Sequence, residues 1–341
     1  MQTARVTQRI VLASRPIGAP VLDNFRIEDA PLPALQEGEV LVQNLYLSLD
    51  PYMRRRMDDR PSYAPPVALN AVMVGGTVAK VIESRHPQFQ SGEVVEGMGG
   101  WQTYAVLAGN SVTKITNTQA PLTTALGILG MPGMTAYTGL LTIGKPQAGE
   151  TLVVAAASGA VGAVVGQIAK LKGCRVVGIA GGPDKTRYLL DELGFDAALD
   201  HHDPAFAVSL ARACPAGIDI YFENVGGKIT QAVLPLLNPF ARIAVCGLIA
   251  QANAVGVPDG PDMLPDFFRS VLTKKLTIRG FIVHDFADQR DAFQRDMQAW
   301  IQSGQIIYRE DVVAGLAQAP AAFIGLLEGR NFGKLLVRVA E

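Results

Sequence analysis

Along the first third of the chain, β-branched, aliphatic and aromatic residues gather in short runs over 39–47, 72–82 and 101–106. Turn formers stand between them: Pro31, Pro33, Gly38, Pro65-Pro66, Gly92 and Gly99-Gly100. This spacing predicts a β-rich domain, a partly open barrel or sandwich. From about Ala125 the pattern changes to short apolar strands alternating with helix-length segments, the signature of βαβ units on a parallel sheet. Strands are predicted over 151–156, 175–179, 197–199, 218–222, 242–246 and 276–282, with helices over 159–172 and 185–193 and further helical stretches between the later strands. Six strands in that order predict a full doubly wound sheet. After a helix near 288–301 the alternation stops. Asn331-Phe332-Gly333 then leads into a strand over 334–339 that rejoins the N-terminal domain. The expected organisation is residues 1–125 and 305–341 in one β-rich domain and residues 126–304 in an α/β domain.

Composition narrows the function classes. A length of 341 residues exceeds what one hydrophobic core usually organises, which also favours two domains. With 49% hydrophobic and 18% charged residues, and 35 glycines and 21 prolines without a period, the chain reads as globular, excluding disorder and collagen. Thirty basic against 31 acidic residues leave a net charge of -1, which offers no field for gathering nucleic acid. The richest apolar stretch, 152–168, is interrupted by Ser158, glycines and Gln167, so no membrane span is expected. The first residues pass to polar ones without a hydrophobic signal core, and a cytoplasmic protein is expected. Cys174, Cys214 and Cys246 are far apart and form no C-x-x-C pair, which argues against a disulfide framework and a structural zinc site.

The strongest local signal is Ala157-Ser158-Gly159-Ala160-Val161-Gly162, directly after one predicted strand and opening a predicted helix. A dinucleotide pyrophosphate needs backbone amides at a helix N-terminus with no side chain in the way. Gly159 allows close approach, and Gly162 lets helix pack on strand. Ala157 stands where the usual fingerprint has its first glycine. Alone, the pattern also fits a plain strand-to-helix turn; the strand before it and the βαβ units after it point to dinucleotide binding. The second strand should end in Asp or Glu if the cofactor were NAD. Here the sequence is Ile179-Ala180-Gly181-Gly182-Pro183-Asp184-Lys185, and Arg187 follows. No acid closes the strand, and a 2′-phosphate would meet positive charge, so NADPH is favoured; a solvated basic helix start is the competing reading.

These residues, with five further segments, carry a family resemblance over nearly the whole chain. The segments are Leu49-Asp50-Pro51-Tyr52-Met53-Arg54, Gly130-Met131-Pro132-Gly133-Met134-Thr135-Ala136-Tyr137, Phe222-Glu223-Asn224-Val225-Gly226-Gly227, Gly280-Phe281-Ile282-Val283 and Asn331-Phe332-Gly333-Lys334. The sequence resembles the zinc-independent medium-chain dehydrogenase/reductases, in the group of NADPH-dependent 2-alkenal, prostaglandin and curcumin reductases. The resemblance implies a GroES-like catalytic domain around a Rossmann domain, substrate in the cleft between them, and a homodimer whose sheet strands meet. It implies that Lys185 binds the 2′-phosphate and that Asn224 and Asn331 contact the cofactor. It also implies cofactor contacts at Pro51, Met131, Thr135, Ser158, Gly159, Ala160, Val161, Gly162, Gly181, Gly182, His201, Cys246, Gly247, Phe281, Val283 and Gly333. Four positions depart from the group: its serine beside the 2′-phosphate is Gly182, and tyrosines are replaced by His201, Ala252 and Thr273.

The chemistry can be read beside that resemblance. A zinc alcohol dehydrogenase needs a Cys, His and further-ligand set. The segment Val72 to Val78 holds neither His nor Glu, and His86, His201, His202 and His284 lack metal-ligand spacing with any cysteine. Without a Lewis acid, the accessible reaction is hydride delivery to an electron-poor alkene carbon, with an adjacent carbonyl taking up charge as an enolate. Tyr52 is the candidate catalytic donor, since a phenol is neutral at pH 7 and can donate to an oxyanion while its ring packs on an apolar substrate; packing at a turn is the alternative. Arg54-Arg55-Arg56 reads as a solvated basic turn or as an attractor for an anionic tail. Met131, Met134 and Tyr137 read as core, and His284 and Asp285 as pocket lining or strand end. The expected substrate is a small apolar conjugated carbonyl. A quinone reductase and a non-catalytic NADPH-binding protein are the competing functions.

Overall fold

The structure, a computed structural model, describes residues 5–116, 120–256 and 262–340. The chain divides into two compact units, Met1–Gly127 with Glu310–Glu341, and Ile128–Arg309. Among the described residues no helix is long and apolar enough to cross a membrane.

The unit Ile128–Arg309 is built on a six-stranded parallel sheet. Its strands lie in the order Ala197–Asp200, Arg175–Ala180, Thr151–Ala155, Ile218–Glu223, Leu237–Val245 and Thr277–Gly280. The chain starts in the middle, runs outward over three strands, then returns to the other side of the first. That reversal sets a topological switch point between Thr151–Ala155 and Ile218–Glu223, where open α/β sheets bind ligands beyond the strands' carboxyl ends. All five residues of Thr151–Ala155 are buried, because helices cover both faces, and the strand is therefore continuously apolar after Thr151. Val153, Ala155, Val177, Ile179, Ile218, Tyr221 and Ile243 form one core with Phe206, Leu210, Ile229 and Val233.

Helix boundaries differ from the sequence expectation where turn geometry intervenes. The helix after the first strand covers Gly162–Leu171 and begins three residues later than its composition suggests. Ala156 takes φ 51°, and the Gly159 amide donates to its carbonyl at 3.0 Å, so a tight turn precedes the helix. The next helix, Pro183–Asp191, starts two residues before Lys185 because Pro183 suits the first helical turn and Gly182 precedes it at φ 88°. The predicted strand over 242–246 is the end of a longer one, Leu237–Val245.

The other unit is β-rich. A hairpin pairs Val6–Leu12 with Phe25–Pro31. A seven-stranded sheet runs Glu310–Ala314, Lys334–Arg338, Glu39–Ser48, Thr77–Ser84, Val94–Gly97 and Thr113–Lys114, and Tyr104–Ala108 also pairs with Glu39–Ser48. The last strand pairs antiparallel with Glu39–Ser48, Leu336 opposite Ser48, so the chain's end does rejoin its beginning. Residues 72–76 do not belong to a strand; Gly75 and Gly76 break the ladder before Thr77. Trp101 likewise precedes its strand and sits in the core, its ring stacked on Phe25 at 5.5 Å and edge-on to Phe323 at 5.6 Å. Phe323 comes from the helix Ala319–Leu327, which with Glu310–Ala314 fills the stretch where the sequence showed no alternation.

Candidate functional site: a dinucleotide cradle and a phenol-bearing turn

At the switch point the turn 156–161 leads into Gly162–Leu171, so the amides at the helix start face the strand ends. Gly162 is required there: a β-carbon would lie 2.3 Å from the Ala156 carbonyl oxygen. Ser158 is buried, while Gly159, Ala160 and Val161 are half-buried and leave backbone accessible. Across the switch point, Asn224 Nδ2 donates to the Ala155 carbonyl at 2.8 Å. The turn that carries Asn224 is held by Glu223, a buried carboxylate at the end of its strand. Its Oε1 accepts from the amides of Val225 at 2.6 Å and Gly226 at 2.8 Å, and its Oε2 accepts from the Thr230 hydroxyl. The amides of Cys246 and Gly247 donate to the Glu223 carbonyl at 2.9 and 3.1 Å. Burial, then the Glu223 charge, push the Cys246 thiol up to about 12, so it stays protonated.

At the end of the second strand, Gly181 lies against two imidazoles, while the space around Gly182 is open. A β-carbon on Gly181 would be 2.9 Å from the His202 ring and 3.2 Å from His201 Nε2. The two rings stand 4.1 Å apart. Burial first, then the His202 charge, hold His201 below the usual histidine range, and the Lys185 charge acts in the same direction. A carboxylate stands nearby in Asp200, at the end of the third strand, but it accepts from the His202 amide at 3.0 Å and pairs with the His202 ring at 3.1 Å. The His202 amide bond, with a further one from the Gly182 amide, holds Asp200 below the usual carboxylate range. Lys185 is half-buried, whereas Arg187 is exposed and pairs with Asp184 at 3.3 Å. The patch can take a phosphate through lysine and imidazole groups.

Met131 and Thr135 share one helix, Met131–Thr138, where the Thr135 hydroxyl donates to the Met131 carbonyl at 2.7 Å. Met134 and Tyr137 are buried in that helix, and the Tyr137 hydroxyl donates to Asp296 at 2.7 Å. Phe281 is buried, edge-on to Phe222 at 6.3 Å, and Val283 starts the helical turn Val283–Gln289.

The remaining candidates lie in the β-rich unit. Pro51 precedes a short helix, Tyr52–Arg56. The turn before it is fixed by a buried cluster: Lys334 Nζ donates to the Leu49 carbonyl at 2.9 Å and to Asp50 Oδ1 at 2.8 Å, and the Ser48 hydroxyl donates to Asp50 Oδ2. Tyr52 packs against the core of this unit. Its burial, then the Asp50 charge, push the phenol well above its ordinary value, so it is neutral at physiological pH and available as a donor. Asn331 Nδ2 donates to the carbonyl of Gly333, the residue before Lys334, at 2.9 Å. Glu223, Asp200, His202, Lys334 and Asp50 are supporting residues to which sequence reasoning gave no role. For Glu223 the signal was a strand-terminal acid followed by a glycine-rich turn. Among the described residues, no group of three or more His, Cys, Asp or Glu side chains is arranged to hold a metal ion.

A doubly wound sheet with a glycine-lined turn at its switch point, joined to a β-rich unit, defines a dehydrogenase/reductase of the Rossmann class. The family described as "N-terminal domain of oxidoreductase" matches residues 8–115, and "Zinc-binding dehydrogenase" matches residues 160–302. The chain is 56% identical over 340 residues, 99% of each chain, to the NADPH-dependent curcumin reductase of Escherichia coli (strain K12). It is 41% identical over 340 residues, 98% of each, to the NADP(+)-dependent 2-alkenal reductase of Nicotiana tabacum. The crystal structure of CurA in complex with NADPH from Vibrio vulnificus superposes with TM-score 0.95 at 52% identity, covering 98% of this chain and 99% of that one. The chain belongs to the medium-chain dehydrogenase/reductase family, in the branch of curcumin, 2-alkenal and prostaglandin reductases.

Proposed function

We propose that this protein is an NADPH-dependent reductase of the C=C bond in α,β-unsaturated aldehydes and ketones, working without zinc. The observation that carries the reading is the strand end Ala180-Gly181-Gly182, where Lys185 and His201 stand, the acid at the end of the adjacent strand, Asp200, is engaged by His202 and Gly182, and Asp184 pairs with Arg187. That arrangement suits a 2′-phosphate, and the full-length similarity to a curcumin reductase and a 2-alkenal reductase supports the substrate class. The unit Ile128–Arg309 is the NADP-binding domain in this reading, and the unit Met1–Gly127 with Glu310–Glu341 is the catalytic one.

Bound NADPH supplies a hydride from C4 of its nicotinamide. A C–H bond forms at the substrate's β-carbon, the π pair moves onto the carbonyl oxygen as an enolate, and a proton from solvent closes the α-carbon as the carbonyl re-forms. The chain's work is to bind, orient and stabilise charge. The amides of 159–162 hold the pyrophosphate, Lys185 and His201 the 2′-phosphate, and Asn224 and Asn331 the cofactor further along. Tyr52 is the catalytic residue: its protonated phenol donates to the oxygen on which charge develops.

We also place the protein in the cytosol, where its free cysteines stay reduced, and as a homodimer. The dimer rests on the edge strand Thr277–Gly280 and on the helix Leu264–Lys274. Leu264, Phe268 and Leu272 on that helix, spaced by four residues, form one apolar stripe 60, 63 and 78% exposed.

The test is an NADPH oxidation screen over enals, enones, quinones and simple aldehydes, with products identified by mass. Saturation of an isolated enone C=C is expected. Turnover confined to quinones, or NADPH binding with no turnover, would overturn the reading.

A further inference from the structure

Three arginines follow Tyr52, and the structure separates their roles. Arg54 is buried and fully engaged, donating to Asp58 at 2.6 Å and to the Gly18 carbonyl at 2.8 Å. Arg55 is exposed and lies 3.7 Å from the same Asp58. Arg56 differs from both. Its backbone carbonyl accepts from the Val67 amide at 2.7 Å, but its side-chain Nε is buried with no hydrogen-bond partner among the described residues. Buried donors are almost always satisfied, and one left open in a folded protein calls for a ligand or a water. Arg56 stands four residues after Tyr52 on the helix Tyr52–Arg56, so the two side chains share a face.

From this shared face and the open Nε, we infer that Arg56 is a second donor to the enolate oxygen, acting beside the Tyr52 hydroxyl as a catalytic residue. The inference rests on the enone-reductase reading. The neighbouring charges suit the task. Asp50, the carboxylate whose charge acts on Tyr52, is occupied by Lys334 and Ser48, so it does not compete for Arg56. The Arg56 charge acts on the Tyr52 phenol in the direction that makes it a better donor. A guanidinium cannot surrender its proton at any working pH, so it stabilises the oxyanion by charge while a neutral phenol supplies a short, directed hydrogen bond. The ground-state carbonyl carries little charge, and the preference for the enolate is therefore a contribution to turnover and not to substrate binding.

The experiment compares wild type with Arg56→Met, Arg56→Lys and Tyr52→Phe/Arg56→Met. It uses 3-nonen-2-one as substrate, and trans-2-nonenoate, whose carboxylate mimics the enolate, as a binding probe titrated calorimetrically into the NADP-loaded protein. Arg56→Met should lower kcat about tenfold or more and weaken nonenoate about tenfold, with KM for the enone and Kd for NADPH within about twofold. Arg56→Lys should recover most of both losses, and the double variant should fall below either single one. Arg56→Gln, uncharged and close in length, serves in the same comparison if the methionine variant melts early. A kcat within twofold of wild type in a folded Met or Gln variant overturns the inference, whatever happens to nonenoate. Failure of the wild type itself to reduce the enone overturns the enone-reductase reading and this inference with it.

Discussion

Gly162→Ala adds one methyl where the cofactor turn has no room. The new β-carbon falls 2.3 Å from the Ala156 carbonyl oxygen and 2.9 Å from both the Ala156 carbonyl carbon and the Ala157 α-carbon. All three are backbone atoms, so no side-chain rotation relieves the overlap, and the turn must open by roughly 1 Å to reach ordinary contact distance. Overpacking of this kind costs about 1–3 kcal/mol. Alanine's better helix propensity offsets about 1 kcal/mol in a helix interior and less at the first helical residue, so strain wins by roughly 1–2 kcal/mol. For a unit of this size the melting temperature should fall by about 3–6 °C. The same displacement moves the amides that face the pyrophosphate. Weakening one charge-assisted hydrogen bond worth about 1.5–3 kcal/mol raises the Kd for NADPH roughly 10- to 100-fold.

The internal control is Gly159→Ala. Its β-carbon meets one atom within reach, the same Ala156 oxygen, at 3.2 Å. A shift of a few tenths of an ångström suffices, and the expected loss is severalfold at most. Fluorescence titration of NADPH and a thermal melt on both variants complete the assay. Wild-type affinity and melting in Gly162→Ala, or a larger loss in Gly159→Ala, would refute the placement of the cradle.

Lys185→Ala should raise the KM for NADPH by an amount corresponding to about 1.5–3 kcal/mol and leave NADH nearly unaffected; equal losses for both cofactors in steady-state kinetics would remove the 2′-phosphate role. Tyr52→Phe keeps the ring and its packing, so turnover should drop on the order of tenfold while NADPH titrates normally. An unchanged rate, measured where a deuterated-NADPH isotope effect shows hydride transfer to be limiting, would leave Tyr52 a packing residue. Leu272→Glu puts a charge at the most exposed position of the apolar stripe on Leu264–Lys274 and should shift the mass measured by light scattering from dimer to monomer; a dimer of unchanged stability would move the interface elsewhere.

The parallel sheet was legible because its strands are buried on both faces and read as apolar runs, as Thr151–Ala155 and Ile218–Glu223 do. The hairpin Val6–Leu12 with Phe25–Pro31 was not. In its first strand the exposed or half-buried Val6, Gln8 and Arg9 and the buried but polar Thr7 precede Ile10, Val11 and Leu12, and the second strand buries only Phe25 and Ala30. The strand Glu310–Ala314 escaped for the same reason: none of its five residues is fully buried. Helix starts were misplaced where backbone geometry decides, at Ala156 with its positive φ and at Gly182 ahead of Pro183. Within the candidate site, the glycine-rich turn and Lys185 are local in sequence and could be read directly. The contact of His202 with Gly181 could not, because it depends on the second and third strands lying side by side, Asp200 opposite Ala180.

The phenol-bearing turn shows why the rest of such a site is hidden. Lys334 reaches Asp50 across 284 residues of sequence, and no local pattern links the two. Both side chains are almost wholly buried, at 5 and 8% exposure, so the pair is not a surface ion pair of small consequence. Desolvating two charges consumes much of their attraction, and a well-packed apolar pair could hold the same space at little loss of stability. What an apolar pair cannot do is fix direction. The lysine ammonium fastens the Leu49 carbonyl and the Asp50 carboxylate together, and Ser48 takes the remaining Asp50 oxygen, so the backbone from Ser48 to Pro51 has one orientation when it enters the helix Tyr52–Arg56. The last strand thereby sets where Tyr52 and Arg56 point. A donor that must meet charge only as it develops has to be in place beforehand, and here its placement is the contribution of the chain's far end.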